Sequence, residues 1–503
     1  MSDVTVTSEH SSTAVAPESP AGAQASGSSP VRAGSRVVII GGGPGGYEAA
    51  LVARQLGADV TVIEARGMGG SAVLTDVVPS KTLIATAEWM TLTESAVELG
   101  IHVGDGHPSV DLGKVNERVR SLAAQQERDI AGRLEKEGIT IINGHGRLGP
   151  ASAGCGTRLV YVDVDGSGEE IELEAEMVLI ATGATPRELP DAKPDGERIL
   201  TWKQLYELTE LPEHLIVVGS GVTGAEFAGA YTQLGAEVTL VSSRVRVLPG
   251  EDEDAATLIE NVFKRRGMTV LSESRAQSVT RTDDGVLVTL ADGREITGSH
   301  CLMAVGAIPN TKGIGLEEAG VKLRESGHIE VDRVSRTTAF RVYAAGDCTG
   351  VYPLASVAAM QGRIAMWHAL GDAVSPLSLT AVAANIFTAP EIATIGVTQA
   401  QIESGEVDGS ISRLPVARNP RAKMLGIKEG FVKVFSDNAT GVVTGAVVVA
   451  PRASELIFPL SIAVTHRLTV DEVANVFTIY PSLSGTLGEA ARTLHHVEDD
   501  DVY

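Results

Sequence analysis

Two glycine-rich turns carry the residues that are best suited to bind phosphate groups. The first turn consists of Gly41, Gly42, Gly43, Pro44, Gly45 and Gly46. The second consists of Gly219, Ser220, Gly221, Val222, Thr223 and Gly224, so both read G-x-G-x-x-G. In such a turn one glycine makes the tight bend, one lets the backbone approach a pyrophosphate, and one lets the following helix pack on the strand. A helix that begins there presents free N–H groups to phosphates, so each turn predicts a dinucleotide site.

Each turn lies between a short apolar run and a helical pattern. Residues 37–40, 47–56 and 60–63 predict a strand, a helix and a strand around the first turn. Residues 215–218, 225–234 and 238–241 repeat the pattern around the second turn. The first run of each copy is wholly apolar, which is typical of a strand buried on both faces of a parallel sheet. The sequence therefore predicts two βαβ units of the Rossmann type in one chain.

The two units differ where the second strand ends. Glu64 ends the first unit, where a carboxylate accepts a hydrogen bond from a ribose hydroxyl. The second unit ends without an acid, at Ser242, Ser243, Arg244 and Arg246. Because arginines accommodate a 2′-phosphate that an acid would repel, these residues favour NADPH over NADH. Two dinucleotide sites in one chain indicate a flavin and a nicotinamide that exchange hydride.

Composition excludes several classes of function. The 503 residues carry 41 Lys and Arg against 64 Asp and Glu, a net charge of −23, so neither nucleic acid nor an anionic membrane is an expected partner. No apolar stretch reaches the roughly 18 residues needed to span a membrane. The three cysteines, Cys155, Cys301 and Cys348, form no zinc or disulfide pattern, which fits the reducing cytoplasm. We expect no metal site, since His495 and His496 stand in an acidic, solvated tail.

The two ends of the chain differ from its middle. Residues 1–34 are rich in Ser, Ala, Thr, Pro and Gly, and this composition predicts a disordered tail rather than a secretory signal. After about residue 376, strand patterns at 431–435 and 442–449 and helical patterns at 454–466 and 470–476 predict an α+β domain with helices on one side.

The order of motifs resembles the flavoprotein disulfide reductases, from about residue 36 to about 492. Between and after the two fingerprints stand Gly69-Gly70-Ser71 leading to Pro79-Ser80-Lys81, Ala181-Thr182-Gly183, Gly306-Ala307-Ile308-Pro309-Asn310, Tyr343-Ala344-Ala345-Gly346-Asp347 and Phe387-Thr388-Ala389-Pro390-Glu391. The resemblance implies an α/β fold with two Rossmann-like domains and a C-terminal α+β dimerisation domain. It implies an FAD-binding domain at 35–186 and 311–375, an NAD(P)-binding domain at 187–310 and a dimerisation domain at 376–503.

The resemblance also implies the cofactor contacts. For FAD they are Gly41, Gly43, Pro44, Gly45, Gly46, Glu64, Gly70, Ser71, Lys81, Gly146, Thr182, Gly183, Asp347 and Ala355. For NAD(P) they are Gly219, Gly221, Val222, Thr223, Gly224, Glu226, Ser242, Arg244, Arg246 and Gly306. Lys81 and Glu226 match the lysine and glutamate that pair near the reactive nitrogen of the flavin, where a lysine favours negative charge on the reduced ring.

Two departures from the family concern thiol chemistry. The redox disulfide positions before Pro79 are Ala72 and Val77, which cannot supply a thiolate. The acid–base histidine and its glutamate are replaced by Tyr480 and Gly485. Cys348 follows the second flavin motif, and we expect it to be a small packing residue.

The loss of both halves of this machinery indicates a changed acceptor. The pattern resembles the NAD(P)H:quinone reductases that lack both cysteines, which implies a homodimer that passes hydride from NAD(P)H to FAD and then reduces a quinone. Tyr480 of the partner subunit would contact the quinone as a catalytic residue, together with Lys81 and Glu226. A soluble pyridine nucleotide transhydrogenase and a non-catalytic flavin-binding sensing protein are the alternatives. A disulfide reductase that borrows thiols from another protein is a further one.

Overall fold

A computed structural model describes residues 34–96, 100–101, 109–151 and 156–495. The predicted tail before residue 34, Cys155 and the acidic end after residue 495 lie outside these residues. The strands are β1 (Arg36–Ile40), β2 (Asp59–Glu64), β3 (Thr140–Ala151), β4 (Arg158–Val164), β5 (Glu170–Ala175), β6 (Met177–Ile180), β7 (Ala184–Pro186), β8 (Ile199–Leu200), β9 (His214–Val218), β10 (Glu237–Val241), β11 (Thr269–Leu271), β12 (Ala276–Arg281), β13 (Val286–Leu290), β14 (Glu295–Gly298), β15 (His300–Met303), β16 (Ala307–Pro309), β17 (Val342–Ala344), β18 (Ala384–Ile386), β19 (Glu391–Gly396), β20 (Gly409–Pro415), β21 (Phe431–Asp437) and β22 (Val443–Ala450). The helices are α1 (Pro44–Gln55), α2 (Gly70–Leu74), α3 (Val77–Ala96), α4 (Leu112–Lys136), α5 (Val222–Leu234), α6 (Glu253–Arg265), α7 (Ala355–Ala369), α8 (Gln399–Glu403), α9 (Pro420–Met424), α10 (Ala453–Leu456), α11 (Phe458–His466), α12 (Val470–Ala474) and α13 (Gly485–Arg492).

The first predicted βαβ unit forms the centre of a seven-stranded sheet. Its strand order is β17-β6-β1-β2-β3-β4-β5. β1 pairs in parallel with β2 and β6, and its apolar residues 37–40 are buried. The first part of β3, residues 140–143, pairs in parallel with β2, and its second part, residues 144–151, pairs antiparallel with β4. β17 comes from much later in the chain and pairs with β6, so two distant segments complete one sheet.

The second predicted βαβ unit lies in a five-stranded parallel sheet. Its strand order is β11-β10-β9-β15-β8, and β9 pairs with both β10 and β15. Helix α5 packs on this sheet through Phe227 and Tyr231, which are both buried. A short antiparallel ribbon of β7 and β16 marks where the chain enters and leaves this sheet. Both units therefore have the predicted strands and helices, and the domain boundaries remain predictions.

The C-terminal sheet has the order β18-β19-β22-β21-β20 and is antiparallel. One face of β21 presents Val432 and Val434 to a core that includes residues of α11 and α13. The opposite face presents Phe431 and Phe435 to a core shared with α5 and α6. Helices α10 to α13 lie on the first face, in agreement with the predicted helices on one side, and α5 and α6 cover the second face.

A buried lysine links these two regions. Lys433 of β21 is 1% exposed, and its Nζ lies 2.8 Å from both carboxylate oxygens of Asp252, 2.8 Å from Asp254 and 2.6 Å from Oε1 of Gln399. Asp252 also caps α6 by accepting from the N–H of Ala255. Removing one partner of a buried ion pair leaves an uncompensated charge and costs about 3–5 kcal/mol. This contact therefore fixes α6 against the C-terminal sheet.

None of the helices within the described ranges is long and apolar enough to cross a membrane.

Candidate cofactor and acceptor site

A cavity of about 840 Å³ opens at the carboxyl ends of β1 and β2. Twelve of the predicted FAD contacts line it, namely Gly41, Gly43, Pro44, Gly45, Glu64, Gly70, Ser71, Gly146, Thr182, Gly183, Asp347 and Ala355. Gly46 and Lys81 do not belong to its lining. Ligands of open α/β sheets bind in this position, outside the carboxyl ends of the strands.

The three glycines at the motif positions of the first turn, Gly41, Gly43 and Gly46, have different tasks. Gly41 has φ of +107°, and a Cβ there would lie 2.3 Å from the carbonyl oxygen of Ala181. A Cβ on Gly46 would lie 1.9 Å from the carbonyl oxygen of Gly41, so Gly46 allows the helix to pack on the turn, and its contact with FAD stays a prediction. A Cβ on Gly43 would come no closer than 4.0 Å to another protein atom, that of Gly70. The space beside Gly43 is therefore the space that a pyrophosphate needs.

Glu64 is held in place by the backbone of the turn. Its Oε2 accepts from the N–H of Gly42 at 2.6 Å, and its Oε1 accepts from the N–H of Arg66 at 2.7 Å. A carboxylate oxygen has two acceptor positions, so each oxygen can still accept from a ribose hydroxyl. The geometry is compatible with the predicted role of Glu64.

Two further segments close the cavity around the turn. Gly70 begins α2 with φ of +57°, and a Cβ there would lie 2.9 Å from Cα of Gly43, so glycine allows the two turns to touch. On the other side, Asn310 donates through Nδ2 to the carbonyl of Thr182 at 2.9 Å, and Thr182 Oγ1 donates to the carbonyl of Asn310 at 2.7 Å. This reciprocal pair fixes the predicted Thr182 and Gly183 contacts against the Pro309-Asn310 turn.

Asp347 stands in the cavity after β17. Burial raises the pKa of its carboxyl group above the ordinary aspartate value. A carboxyl group in such surroundings needs a hydrogen-bond partner, which is what the predicted contact with a ribityl hydroxyl would supply.

The second turn repeats the backbone of the first. Gly219 has φ of +114°, and a Cβ there would lie 2.2 Å from the carbonyl oxygen of Ala304. A Cβ on Gly224 would lie 1.8 Å from the carbonyl oxygen of Gly219, whereas a Cβ on Gly221 would meet no atom within 4 Å. Gly221 and Val222 are exposed at the start of α5. Here too the free space lies beside the central glycine.

Ser242, a predicted NAD(P) contact, is buried within the loop that follows β10. Its side chain has no exposed surface, and its hydroxyl lies 2.7 Å from Ser220 Oγ and accepts from the N–H of Arg244 at 3.1 Å. A group enclosed in this way shapes the loop, and direct contact of Ser242 with NAD(P) stays a prediction. Arg244 is exposed, whereas Arg246 forms an ion pair of 2.8 Å with Glu253. Of the predicted phosphate contacts, Arg244 has the freest guanidinium.

Lys81 and Glu226 meet although 145 residues separate them. Lys81 Nζ lies 2.7 Å from Oε2 of Glu226, and Oε1 of Glu226 accepts from the N–H of Phe387 at 2.8 Å. Glu226 is 3% exposed, so both its oxygens are engaged inside the protein. Lys81 Nζ also lies 5.1 Å from the centre of the Phe387 ring. This geometry holds the ammonium in one place, whereas direct contact of Glu226 with NAD(P) stays a prediction.

The segment that lacks the thiols borders the cavity directly. Ala72 and Val77 line it, and so does Asp76, which stands between them. Cys348 is fully buried, and burial raises the pKa of its thiol to about 12, which confirms it as a packing residue. The sequence analysis did not predict Asp76 as a site residue. The signal for it was an acidic residue between the two positions where the family has its cysteines.

Tyr480 does not line this cavity within one chain. It is 82% exposed and belongs to an exposed apolar stretch with Val476, Phe477 and Ile479. Large exposed apolar surfaces mark sites of protein association. The predicted contact of Tyr480 with an acceptor bound to a second subunit stays a prediction.

The residues of the cavity fit FAD, since the open cradle beside Gly43, the oriented Glu64 and the enclosed Asp347 match its pyrophosphate, ribose and ribityl groups. When bound, FAD would supply two-electron chemistry between a nicotinamide and a second substrate.

Comparisons with known proteins agree with this site. A family model described as pyridine nucleotide-disulphide oxidoreductase matches residues 35–362, and the dimerisation domain of that family matches residues 382–491. A protein of Mycobacterium tuberculosis named NAD(P)H dehydrogenase (quinone) is 54% identical over 471 residues, which are 93% of this chain and 95% of that protein. The dihydrolipoyl dehydrogenase of Bacillus subtilis is 32% identical over 462 residues, which are 90% and 97% of the two chains.

Solved structures give the same result. The crystal structure of LpdA from Mycobacterium tuberculosis superposes with a TM-score of 0.88 at 53% identity, covering 92% of this chain and 100% of that chain. These matches confirm the predicted fold class and the assignment of FAD and NAD(P)H as cofactors. The chain belongs to the pyridine nucleotide-disulphide oxidoreductase family, in a form without the redox thiols.

Proposed function

We propose that the protein is an FAD-dependent NAD(P)H:quinone oxidoreductase without disulfide reductase activity. The observation that carries this proposal is the border of the cavity at Ala72 and Val77, where the family places its thiols. The scaffold around that border keeps its cofactor features, including the Lys81–Glu226 pair. A flat, apolar acceptor that needs no thiol suits such a surface, and the Mycobacterium tuberculosis relative is named for quinone reduction.

The proposal extends to the donor, the assembly and the cell compartment. Exposed Arg244 and the absence of an acid at the end of β10 support NADPH as the preferred donor. The match to a dimerisation domain and the apolar stretch around Tyr480 support a homodimer in which Tyr480 reaches the partner's acceptor site. We place the protein in the cytoplasm, because its few cysteines suit a reducing compartment.

Anaerobic stopped-flow spectroscopy tests the function. The holoprotein is mixed with NADPH or NADH and then with menadione. Rapid bleaching of the flavin band, followed by reoxidation by menadione, is the expected result. Reoxidation by NAD⁺ but not by menadione would indicate the transhydrogenase instead. If neither nicotinamide bleaches the band, a non-catalytic flavin-binding protein becomes the better explanation.

The role of Tyr480 has a separate test. Tyr480→Phe should slow reoxidation by menadione while leaving bleaching by NADPH intact, because Tyr480 is proposed to contact the acceptor and not the nicotinamide. Unchanged reoxidation in this variant would remove Tyr480 from the acceptor site. Light scattering on the same protein measures whether the dimer forms.

A further inference from the structure

The cavity contains a carboxyl group, that of Asp76, that is not among the predicted cofactor contacts. Asp76 lines the cavity between Ala72 and Val77, directly before α3. Its N–H donates to the carbonyl of Ser71 at 2.8 Å, and its carbonyl accepts from the N–H of Ser80 at 2.8 Å. The backbone of Asp76 is therefore fixed at the border where the acceptor is proposed to bind. Among the residues that the structure describes, none forms a hydrogen bond or ion pair with its carboxyl group.

The surroundings favour the protonated form of this group. A helix N-terminus ordinarily stabilises an ionised carboxylate. Burial nevertheless raises the pKa of Asp76 to about 6. The negative charges of Glu226 and Asp347 also raise it, and the positive charges of Lys81 and Lys203 only partly offset the total rise. Near neutral pH the group therefore exchanges a proton readily, as a general acid must.

Quinone reduction requires such a proton. Conversion of a quinone to a hydroquinone takes up two electrons and two protons. The nicotinamide donor releases two electrons and only one proton, so the second proton must come from the protein or from water. Four other acids line the cavity: Glu64 accepts from two backbone N–H groups, Asp347 is predicted to contact the cofactor, and Asp163 and Glu325 are exposed to solvent.

We propose that Asp76 is the general acid of the oxidative half-reaction, an inference that rests on the proposed quinone reductase function. The O–H bond of Asp76 breaks as an O–H bond forms on the quinone oxygen. The carboxylate then regains a proton from water, so that one proton is taken up from solvent per turnover. Asp76 acts on the acceptor side, and the nicotinamide half-reaction does not use it.

The test compares two acceptors with Asp76→Asn. Menadione requires protons, whereas ferricyanide accepts single electrons and none. Measured at pH 6 by anaerobic stopped-flow, reoxidation of the variant by menadione should fall on the order of 10²-fold, the scale of general acid catalysis. Reoxidation by ferricyanide and bleaching by NADPH should stay within about twofold of the parent protein. Asp283→Asn, an exposed aspartate in the turn between β12 and β13, is the matched control.

The pH profile gives the decisive signature. Because the acid must be protonated, reoxidation of the parent protein by menadione should be fast below about pH 6 and should fall as pH rises through the pKa of Asp76. Asp76→Asn should lose this dependence, and Asp76→Glu should recover it. Infrared spectra of the parent protein should contain a protonated carboxyl band that disappears over the same pH range and is absent in Asp76→Asn.

The outcomes separate the two proposals. If the parent protein is reoxidised by menadione and Asp76→Asn matches it at every pH, the role of Asp76 is wrong while the quinone function stands. Equal losses with menadione and ferricyanide would identify a merely structural residue and would also overturn the role. If menadione does not reoxidise the parent protein, the quinone function fails, and the role of Asp76 fails with it.

Discussion

The two glycine turns have almost the same backbone but different surroundings. In each, the first and third glycines are required by protein atoms, and the central glycine faces free space. The contact between the turn and the end of the second strand also recurs with the same spacing of 22 residues, as Gly42–Glu64 in one unit and Ser220–Ser242 in the other. The first contact uses a carboxylate that lines a cavity of about 840 Å³, and the second uses two neutral hydroxyls beside an exposed loop.

This difference suits the two predicted ligands, FAD as a resident cofactor at the first turn and NAD(P)H as a substrate that must leave at the second. A deep cavity of about 840 Å³ holds its ligand through many contacts, whereas an exposed shelf allows rapid exchange. The same βαβ unit can therefore hold either kind of ligand. Which kind it holds depends on the segments that surround the glycine turn rather than on the turn itself.

The largest expected effects concern the glycines that serve packing. Gly46→Ala and Gly224→Ala each place a Cβ less than 2 Å from a backbone oxygen, so the helix must move off its strand. We expect each variant to lose about 3 kcal/mol or more of unfolding free energy. Urea denaturation followed by circular dichroism measures this loss. Stabilities equal to that of the parent protein would contradict the assignment of these glycines to packing.

The central glycines should separate the two ligands. Alanine fits the backbone at Gly43 and Gly221, whose φ values are −69° and −72°, and it meets no close protein atom. Gly43→Ala should keep the fold but weaken FAD binding on the order of 10²-fold, measured by flavin release on dilution. Gly221→Ala should retain FAD and raise the KM for NADPH by a similar factor. Loss of FAD from Gly221→Ala would break the comparison.

Burial of Asp76 at the first site should make the unfolding free energy depend on pH. The pKa of Asp76 is raised in the folded state to about 6, so folding favours its protonated form. The resulting penalty is absent below about pH 4 and fully present above pH 6. Asp76→Asn should therefore stabilise the protein by roughly 2–3 kcal/mol above pH 6 and by little below pH 4. Thermal melts across this range measure the difference, and a gain that is independent of pH would exclude titration of Asp76 as its cause.

The smallest effect concerns the choice of nicotinamide at the exposed loop. Arg244→Ala should raise the KM for NADPH about tenfold and leave that for NADH nearly unchanged, since the lost contact is to the 2′-phosphate. Arg246→Ala is the matched comparison and should do less, because Glu253 already engages that guanidinium. Equal effects of Arg244→Ala on both nucleotides would remove the basis for an NADPH preference.

Much of the fold was accessible from sequence, because glycine spacing and apolar periodicity are local signals. Both βαβ units formed where the patterns of residues 37–63 and 215–241 indicated. Burial was not accessible in the same way. Ser242 occupies the position that corresponds to Glu64, yet its short side chain turns inward and binds Ser220. A position in a motif predicts where a residue stands but not what it touches.

The site was predicted less completely than the fold. The meeting of Lys81 with Glu226 came from the family resemblance, because no local pattern relates residues 145 positions apart. Asp76 was not predicted, although it is adjacent in sequence to Val77, because the family resemblance concerns the two cysteine positions and not the residue beside them. Burial is the main cause of its raised pKa, and the charges that modify the effect, on Lys81, Lys203, Glu226 and Asp347, come from four separate stretches of the chain.

The carboxylate of Glu226 has a consequence for protein engineering. It belongs to the nicotinamide unit, binds the lysine that follows the thiol-free segment and accepts from the backbone of the C-terminal domain at Phe387. Lys433 ties the same unit to the C-terminal sheet through Asp252. A chimera that exchanges the nicotinamide unit between relatives must therefore preserve both junctions, or it will bury a charge with no counterpart. Coenzyme preference is better altered by grafting the loop at Arg244, which lies outside both junctions, than by transplanting the whole unit.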